Sequence, residues 1–290
     1  MECLETIYLD HNIYIYALSN PSIMETITSY KKKVKFVYSP AHIEEVHKAL
    51  KEKGDSYAPT AKEIFELISI ATNNLELLPS NVTIVFQRER PEKCYERVFG
   101  NDTTDRVKAD SNARFQKDTN SYDALLATDK HYQSLSTIAP DKIWNVSIIK
   151  DALTELNQNM PTIVRKQNCS LDTLYCALIG ADKTLPLNLQ IEPNSFQKFK
   201  QSHTQLEFVI ELLFRILSLS GYNTDKSESK AISGTHDVSH AIYATETAKF
   251  FTTDKRFAQR CKAVYQFLGV PTQVIVCKPD QISRTLQSSL

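Results

Sequence analysis

Short runs at the two ends of the chain restrict its fold more than anything between them. ETIYL (5–9) and VKFVY (34–38) are β-branched and aromatic, and each is followed by a helical pattern, which is the rhythm of parallel βα units. The C-terminal end repeats it. Asp237–Thr247 reads as a helix, Lys249–Phe251 as a strand, Asp254–Leu268 as a helix, Thr272–Cys277 as a strand, and the last residues as a short helix opened by Pro279. Both ends are expected to belong to one α/β sheet.

The middle reads differently. From about 55 to 230 the periodicity is mainly helical, at Thr60–Asn73, Ser121–Leu135, Asp141–Asn157 and Ser195–Leu219, with one strand-like run at Val82–Phe86. Polar stretches lie between these, chiefly 88–120, and the Ser/Lys-rich connector Asn223–Ser233 is expected to be a loop. A structureless loop of such length is out of place in a compact domain. The expected organisation is therefore a core made of 1–54 and 231–290, with a mainly α-helical insertion over 55–230.

With 290 residues, 42% of them hydrophobic, the chain can bury a sizeable core without staples. Its six cysteines form no CxxC pair, which points to reduced thiols and a cytoplasmic location. MECLETIYLD enters an apolar run with no basic segment before it, so no signal peptide is expected. The Asn-x-Ser/Thr matches at Asn81, Asn145 and Asn168 are then chance. FVIELLFRILSLSG (208–221) is interrupted by Glu211 and Arg215 and is expected to be a core helix, not a membrane span. Formal net charge is zero, so any nucleic acid must be held by local patches.

The chemistry is carried by acids at the seams of these units. Asp10 directly follows Ile7-Tyr8-Leu9 and should stand at the carboxyl end of the first strand, the edge where open parallel sheets bind ligands. Alone it could equally be a helix cap. On the second helix Ile43, Val46, Ala49 and Leu50 form the apolar stripe, which Glu45 flanks while Glu44 points more nearly away. His42 lies on the same side and is either a phosphate or carboxylate partner or a structural first-turn residue. Asp237, Ala241 and Ala244 share one helix face, and Asp254 follows the next strand through Thr252-Thr253. Asp123 with Ala127 and Asp129 imitates this third segment, but no strand separates the two acids. Clustered carboxylates repel unless a cation neutralises them, and hard oxygen ligands suit Mg²⁺ or Mn²⁺.

YLDHN (8–12), SPAHIEEV (39–46), DVSHAIYA (237–244) and FFTTDKRF (250–257) resemble, in that order, the motifs of the PIN-like nuclease superfamily, and QVIVCKPDQI (273–282) is similar to its last strand and Pro-led helix. The resemblance covers roughly 1–50 and 233–290. His11 sits where Ser or Thr is usual, and His240 where an aliphatic residue is common. The resemblance implies a PIN-like fold and hydrolysis of RNA by a metal-activated water, with Asp10, Glu45, Asp237 and Asp254 as both catalytic residues and ligands of Mg²⁺ or Mn²⁺. His236 and His240 flank Asp237 and make Mn²⁺ a reasonable preference.

Asn12, Ser39, His42, His240, Thr252, Lys255 and Arg256 form the wider group expected to orient the ligands or contact substrate, and Arg260 and Lys262 extend the basic helix. A DNA-acting nuclease and an inactive module that binds nucleic acid or protein are the alternatives. No membrane partner is expected, and a homodimer or a regulatory protein partner is an analogy only. The superfamily includes toxins, RNA-processing enzymes and phage-defence proteins, and the sequence does not select among them.

Overall fold

The computed structural model describes residues 4–80, 83–100, 135–168, 185–224 and 237–290. Nearly all of the expected helix Ser121–Leu135, with the Asp123/Asp129 imitation, lies outside these residues, as do His236 and most of the connector.

Four strands form a parallel sheet in the order β2-β1-β5-β6: β1 is Thr6–Leu9, β2 Lys35–Val37, β5 Lys249–Thr252 and β6 Gln273–Val276. The two ends of the chain thus meet in one α/β sheet flanked by helices. In the central strand β1, Tyr8 pairs with Val37 on one side and Phe250 on the other. Covered on both faces, such a strand is apolar at every position instead of alternating, and Ile7, Tyr8 and Leu9 are all fully buried.

A hairpin of β3 (Leu75–Pro79) and β4 (Ile84–Arg88) extends the β2 edge. It is attached by a parallel bridge between Tyr38 and Glu76, where Tyr38 N donates to Leu75 O at 3.0 Å and Leu77 N to Tyr38 O at 2.7 Å. Only β4 approximates a run read from the sequence. Strand β3 follows helix α4 (Ala58–Thr72) through Asn73 and Asn74, both with left-handed backbone (φ 52° and 61°), a conformation that asparagine tolerates and that stops a helix.

One face of the sheet carries α1 (His11–Ser19), α2 (Pro21–Tyr30), α4 and α5 (Pro91–Phe99), together with the last helix α10 (Ile282–Ser289). Ile7, Leu9, Phe36 and Phe251 pack there with Ile13, Ile23, Ile64 and Leu286. On the other face Tyr8, Val37 and Phe250 share an apolar cluster with α6 (Ser147–Asn168), α7 (His203–Leu219), a helix over 237–244 (α8) and α9 (Lys255–Leu268). Helix α3 (Pro40–Lys53) leads away from β2, its Ala41 in one cluster and its Ile43 and Val46 in the other. The segment 55–230 therefore contributes to both faces, through α4 and α5 on one and through 135–168 and 185–222 on the other.

Several boundaries moved. The expected polar stretch from 88 contains α5, which starts with Pro91 at its first position, where the missing N–H costs nothing. Ser195–Leu219 divides into a single turn, Phe196–Phe199, and α7, whose start is capped by the Ser202 hydroxyl accepting from Gln205 N. Among the described residues no helix is long and apolar enough to cross a membrane.

Candidate functional site

The carboxyl ends of β1 and β5 lie side by side, and the backbone continues the pairing by one residue: Asp10 N donates to Phe251 O at 2.8 Å. Asp10 stands at the N-cap position of α1, yet its side chain makes no capping hydrogen bond. It takes a 2.6 Å hydrogen bond from Thr252 Oγ1 instead, and the same hydroxyl accepts from Asp254 N at 3.1 Å. Thr252 thereby pins two predicted acids to one strand end. Asp254 behaves in the opposite way: its Oδ1 accepts from Arg256 N at 2.7 Å and Phe257 N at 2.9 Å, the hydrogen bonding of a helix cap.

Glu45 reaches this edge from α3. Its Oε1 lies 2.8 Å from His240 Nε2 and its Oε2 4.0 Å from His11 Nε2. Asp10, Glu45 and His240 could hold a metal ion, since one ligand atom from each lies within 4.8 Å of the others. Ion–ligand bonds of about 2.0–2.2 Å put neighbouring donors roughly 3–4.4 Å apart, so the group is of the right size. It is also interior: Asp10 is 2% and His240 0% exposed, and only Glu45, at 21%, opens outward.

Behind His240 lies a buried chain of hydrogen bonds. Its Nδ1 is 2.7 Å from the Tyr8 hydroxyl, which is 2.5 Å from Ser39 Oγ. If His240 carries its proton on Nε2 alone, Tyr8 donates to Nδ1 and Ser39 donates to Tyr8. If Nδ1 carries a proton, both donations reverse, so the chain satisfies either state. His42 is settled differently. Its Nδ1 accepts from Ser39 N at 3.2 Å, so the proton is on Nε2, which donates to Leu9 O at 2.8 Å.

Burial and charge act together here. Asp10 is raised above the ordinary carboxylate value by burial, an effect that His240 opposes and Glu45 reinforces. Burial raises Asp237 far more, against the nearby Arg260 charge and with the charges of Asp10, Glu45 and Asp254. For His240 burial disfavours the charged form, but the hydrogen bond and charge of Glu45, with Asp10 and Asp237, outweigh it and raise the imidazole. His42 is lowered well below its ordinary value, by burial first and then by His240, and His11 is lowered by burial. Burial thus penalises the ionised forms of Asp10 and Asp237, a cost that a bound cation would offset.

Asp237, at the start of α8, stands beside this group, with Oδ2 3.9 Å from Arg260 Nη2, and does not belong to the compact triad. Glu44 acts on Tyr243 and is not one of the three residues with ligand spacing. His42, His240, Ser39 and Thr252, expected among the residues that orient ligands or meet substrate, are fully buried. They stand inside the site with their polar atoms hydrogen-bonded to protein, as supports or, for His240, as a ligand candidate. Asn12, Lys255 and Arg256 are exposed.

Sequence reasoning passed over Tyr8. The signal was present: a tyrosine in a strand buried on both faces must find a partner for its hydroxyl.

A second group, Glu76, Glu89 and Cys94, also has ligand-like spacing. Arg97 already pairs with both of its carboxylates. Glu76 is fully buried and accepts from Arg97 Nη2 at 2.6 Å, Gln87 Nε2 at 3.0 Å and Cys94 Sγ at 3.3 Å, while Arg97 Nε donates to Glu89 at 2.9 Å. This network ties α5 to the β3–β4 hairpin.

No family model, curated protein or solved structure matches the chain. The functional reading therefore rests on the residues themselves.

Proposed function

We propose that the chain is a PIN-like, metal-dependent endonuclease that hydrolyses phosphodiester bonds, with RNA its first substrate and DNA the alternative. The observation that carries this reading is the Asp10–Glu45–His240 group at the carboxyl end of the central parallel strand, its ligand atoms within 4.8 Å of one another. The order of the four sequence motifs along the chain supports it, and so does the meeting of both chain ends in one parallel sheet.

Asp10, Glu45 and His240 would hold a divalent cation, with Asp237 beside them. When bound, such an ion supplies an acidified water and neutralises charge on the phosphate. A nitrogen donor among carboxylates favours Mn²⁺ over Mg²⁺. The protein's own residues do the positioning. Thr252 fixes the Asp10 carboxylate, and Tyr8 receives the Nδ1 proton that a ligating His240 carries on its other nitrogen, with Ser39 behind it. Lys255 and Arg256, exposed on the first turn of α9, offer charge to a polynucleotide backbone.

The test is cleavage of labelled RNA and DNA by purified protein with Mn²⁺, Mg²⁺ or EDTA, beside Asp10→Ala and Glu45→Ala. Cleavage should be abolished by EDTA and fall at least 100-fold in each variant. Cleavage that survives both EDTA and the substitutions sinks the proposal. Tight RNA binding without turnover in any metal would instead favour the inactive binding module.

A further inference from the structure

Arg260 occupies the wrong face of its helix for a cation. In α9 it lies in the buried stripe with Phe257, Cys261, Val264 and Leu268, and its side chain is 7% exposed with the guanidinium 5.8 Å from the Phe214 ring centre. Burying such a group is expensive unless its five N–H donors are used. Here they are used poorly. Nη2 stands 3.9 Å from Asp237 Oδ2, beyond hydrogen-bond length; Nη1 reaches Ser218 Oγ only at 3.4 Å; and Nε, buried, has no partner among the described residues. An arginine serving only as the counter-ion of Asp237 would be expected to close on that carboxylate as a two-pronged pair at about 2.7–2.9 Å.

This guanidinium stands off instead, beside the acid that itself adjoins Asp10 and Glu45. We propose that Arg260 is an oxyanion anchor, whose unspent donors take a phosphate oxygen of the polynucleotide backbone at the edge of the Asp10–Glu45–His240 group. The inference rests on the nuclease reading for the identity of the ligand. Its geometry, a buried planar fork with donors to spare, suits phosphate, which guanidinium binds through two parallel hydrogen bonds. Lys255 and Arg256 continue the cationic surface outward along the same helix.

The probes are inorganic phosphate, followed by ³¹P line width, and a short fluorescent single-stranded RNA, followed by anisotropy, each without metal and with Mg²⁺. Arg260→Gln should weaken both by roughly tenfold or more, the loss expected for a charge-assisted contact, with Arg260→Lys in between because it keeps the charge without the fork. In the absence of metal, Asp237→Asn should leave phosphate binding intact or tighter, since it removes the carboxylate beside the guanidinium. Should Arg260→Gln fail to fold, Arg260→Lys and Asp237→Asn decide the matter alone. Binding by Arg260→Lys equal to wild type, loss of metal-free phosphate binding in Asp237→Asn, or no binding of either probe by the wild type overturns the proposal. If binding depends on Arg260 but neither RNA nor DNA is cleaved with Mn²⁺, the anchor stands and the nuclease reading fails; cleavage and binding unchanged in Arg260→Gln give the reverse.

Discussion

Tyr8 serves packing and hydrogen bonding from one buried position. Its ring is buried between Phe250 and the imidazoles of His42 and His240, at centroid distances of 5.6, 5.0 and 5.6 Å, and its hydroxyl joins His240 to Ser39. Tyr8→Phe keeps the packing and removes the link, leaving two buried polar atoms short of a partner, at a cost of about 1–3 kcal/mol. Its Mn²⁺ affinity should drop roughly 10- to 100-fold, the usual effect of losing an outer hydrogen-bond partner of a ligating histidine; a calorimetric titration unchanged from wild type would remove Tyr8 from the site.

Asp237 makes a prediction about pH. Because its carboxyl is raised well above its ordinary value of 3.8 in the folded protein, the unfolded chain ionises first as pH rises. Stability is therefore lost as pH climbs from about 4 through the folded value, and the loss persists above it. In chelator the unfolding midpoint should fall over that window. Asp237→Asn should flatten the fall and raise the midpoint at neutral pH by roughly 2 °C, for about 1 kcal/mol recovered. A midpoint in chelator that is lowered at neutral pH by the substitution would show that Asp237 is stabilising as a charge.

Among elements, the β3–β4 hairpin and α5 test how a buried charge is held. Glu76 is completely enclosed and its carboxyl is raised by burial, against Gln87 and Arg97. Arg97→Met leaves that charge without its cation and should cost about 3–5 kcal/mol, whereas pairing it with Glu76→Leu should recover most of the loss. Urea unfolding of the two variants checks this; equal destabilisation by both would mean that the network contributes through shape alone. The legibility of these elements in the sequence was uneven. β1, β2, β5 and β6 could be read because a strand buried on both faces is apolar throughout, whereas LELLP at 75–79 pairs through Glu76 with the bridge to Tyr38, and a glutamate inside a strand gives no such signal. Helix α5, rich in charge, looked like loop because only Pro91 and Cys94 of its nine residues are buried.

For the whole molecule, the decisive feature is that 135–168 and 185–222 share their apolar cluster with the sheet. The chain's only tryptophan, Trp144, sits at this seam: Nε1 donates to Ala263 O at 2.8 Å and the ring lies 4.6 Å from that of Phe267, both on α9. Unfolding followed by Trp144 fluorescence and by far-ultraviolet circular dichroism should therefore coincide in one transition. An earlier fluorescence transition would mean that the segment around Trp144 opens by itself. The same scale explains what could be known beforehand. Strand rhythm and the acids beside it are local properties, so the sequence by itself determined a parallel α/β sheet built from both chain ends, with Asp10 and Thr252 at its carboxyl edge. Which acids share an interior is a matter of helix approach and burial across more than 190 residues of separation, as in the 2.8 Å contact between Glu45 and His240. Only the tertiary structure decided that His240 joins Asp10 and Glu45 and that Tyr8 and Arg260 stand behind and beside the site, because nothing local in a strand or a helix records what is packed against it.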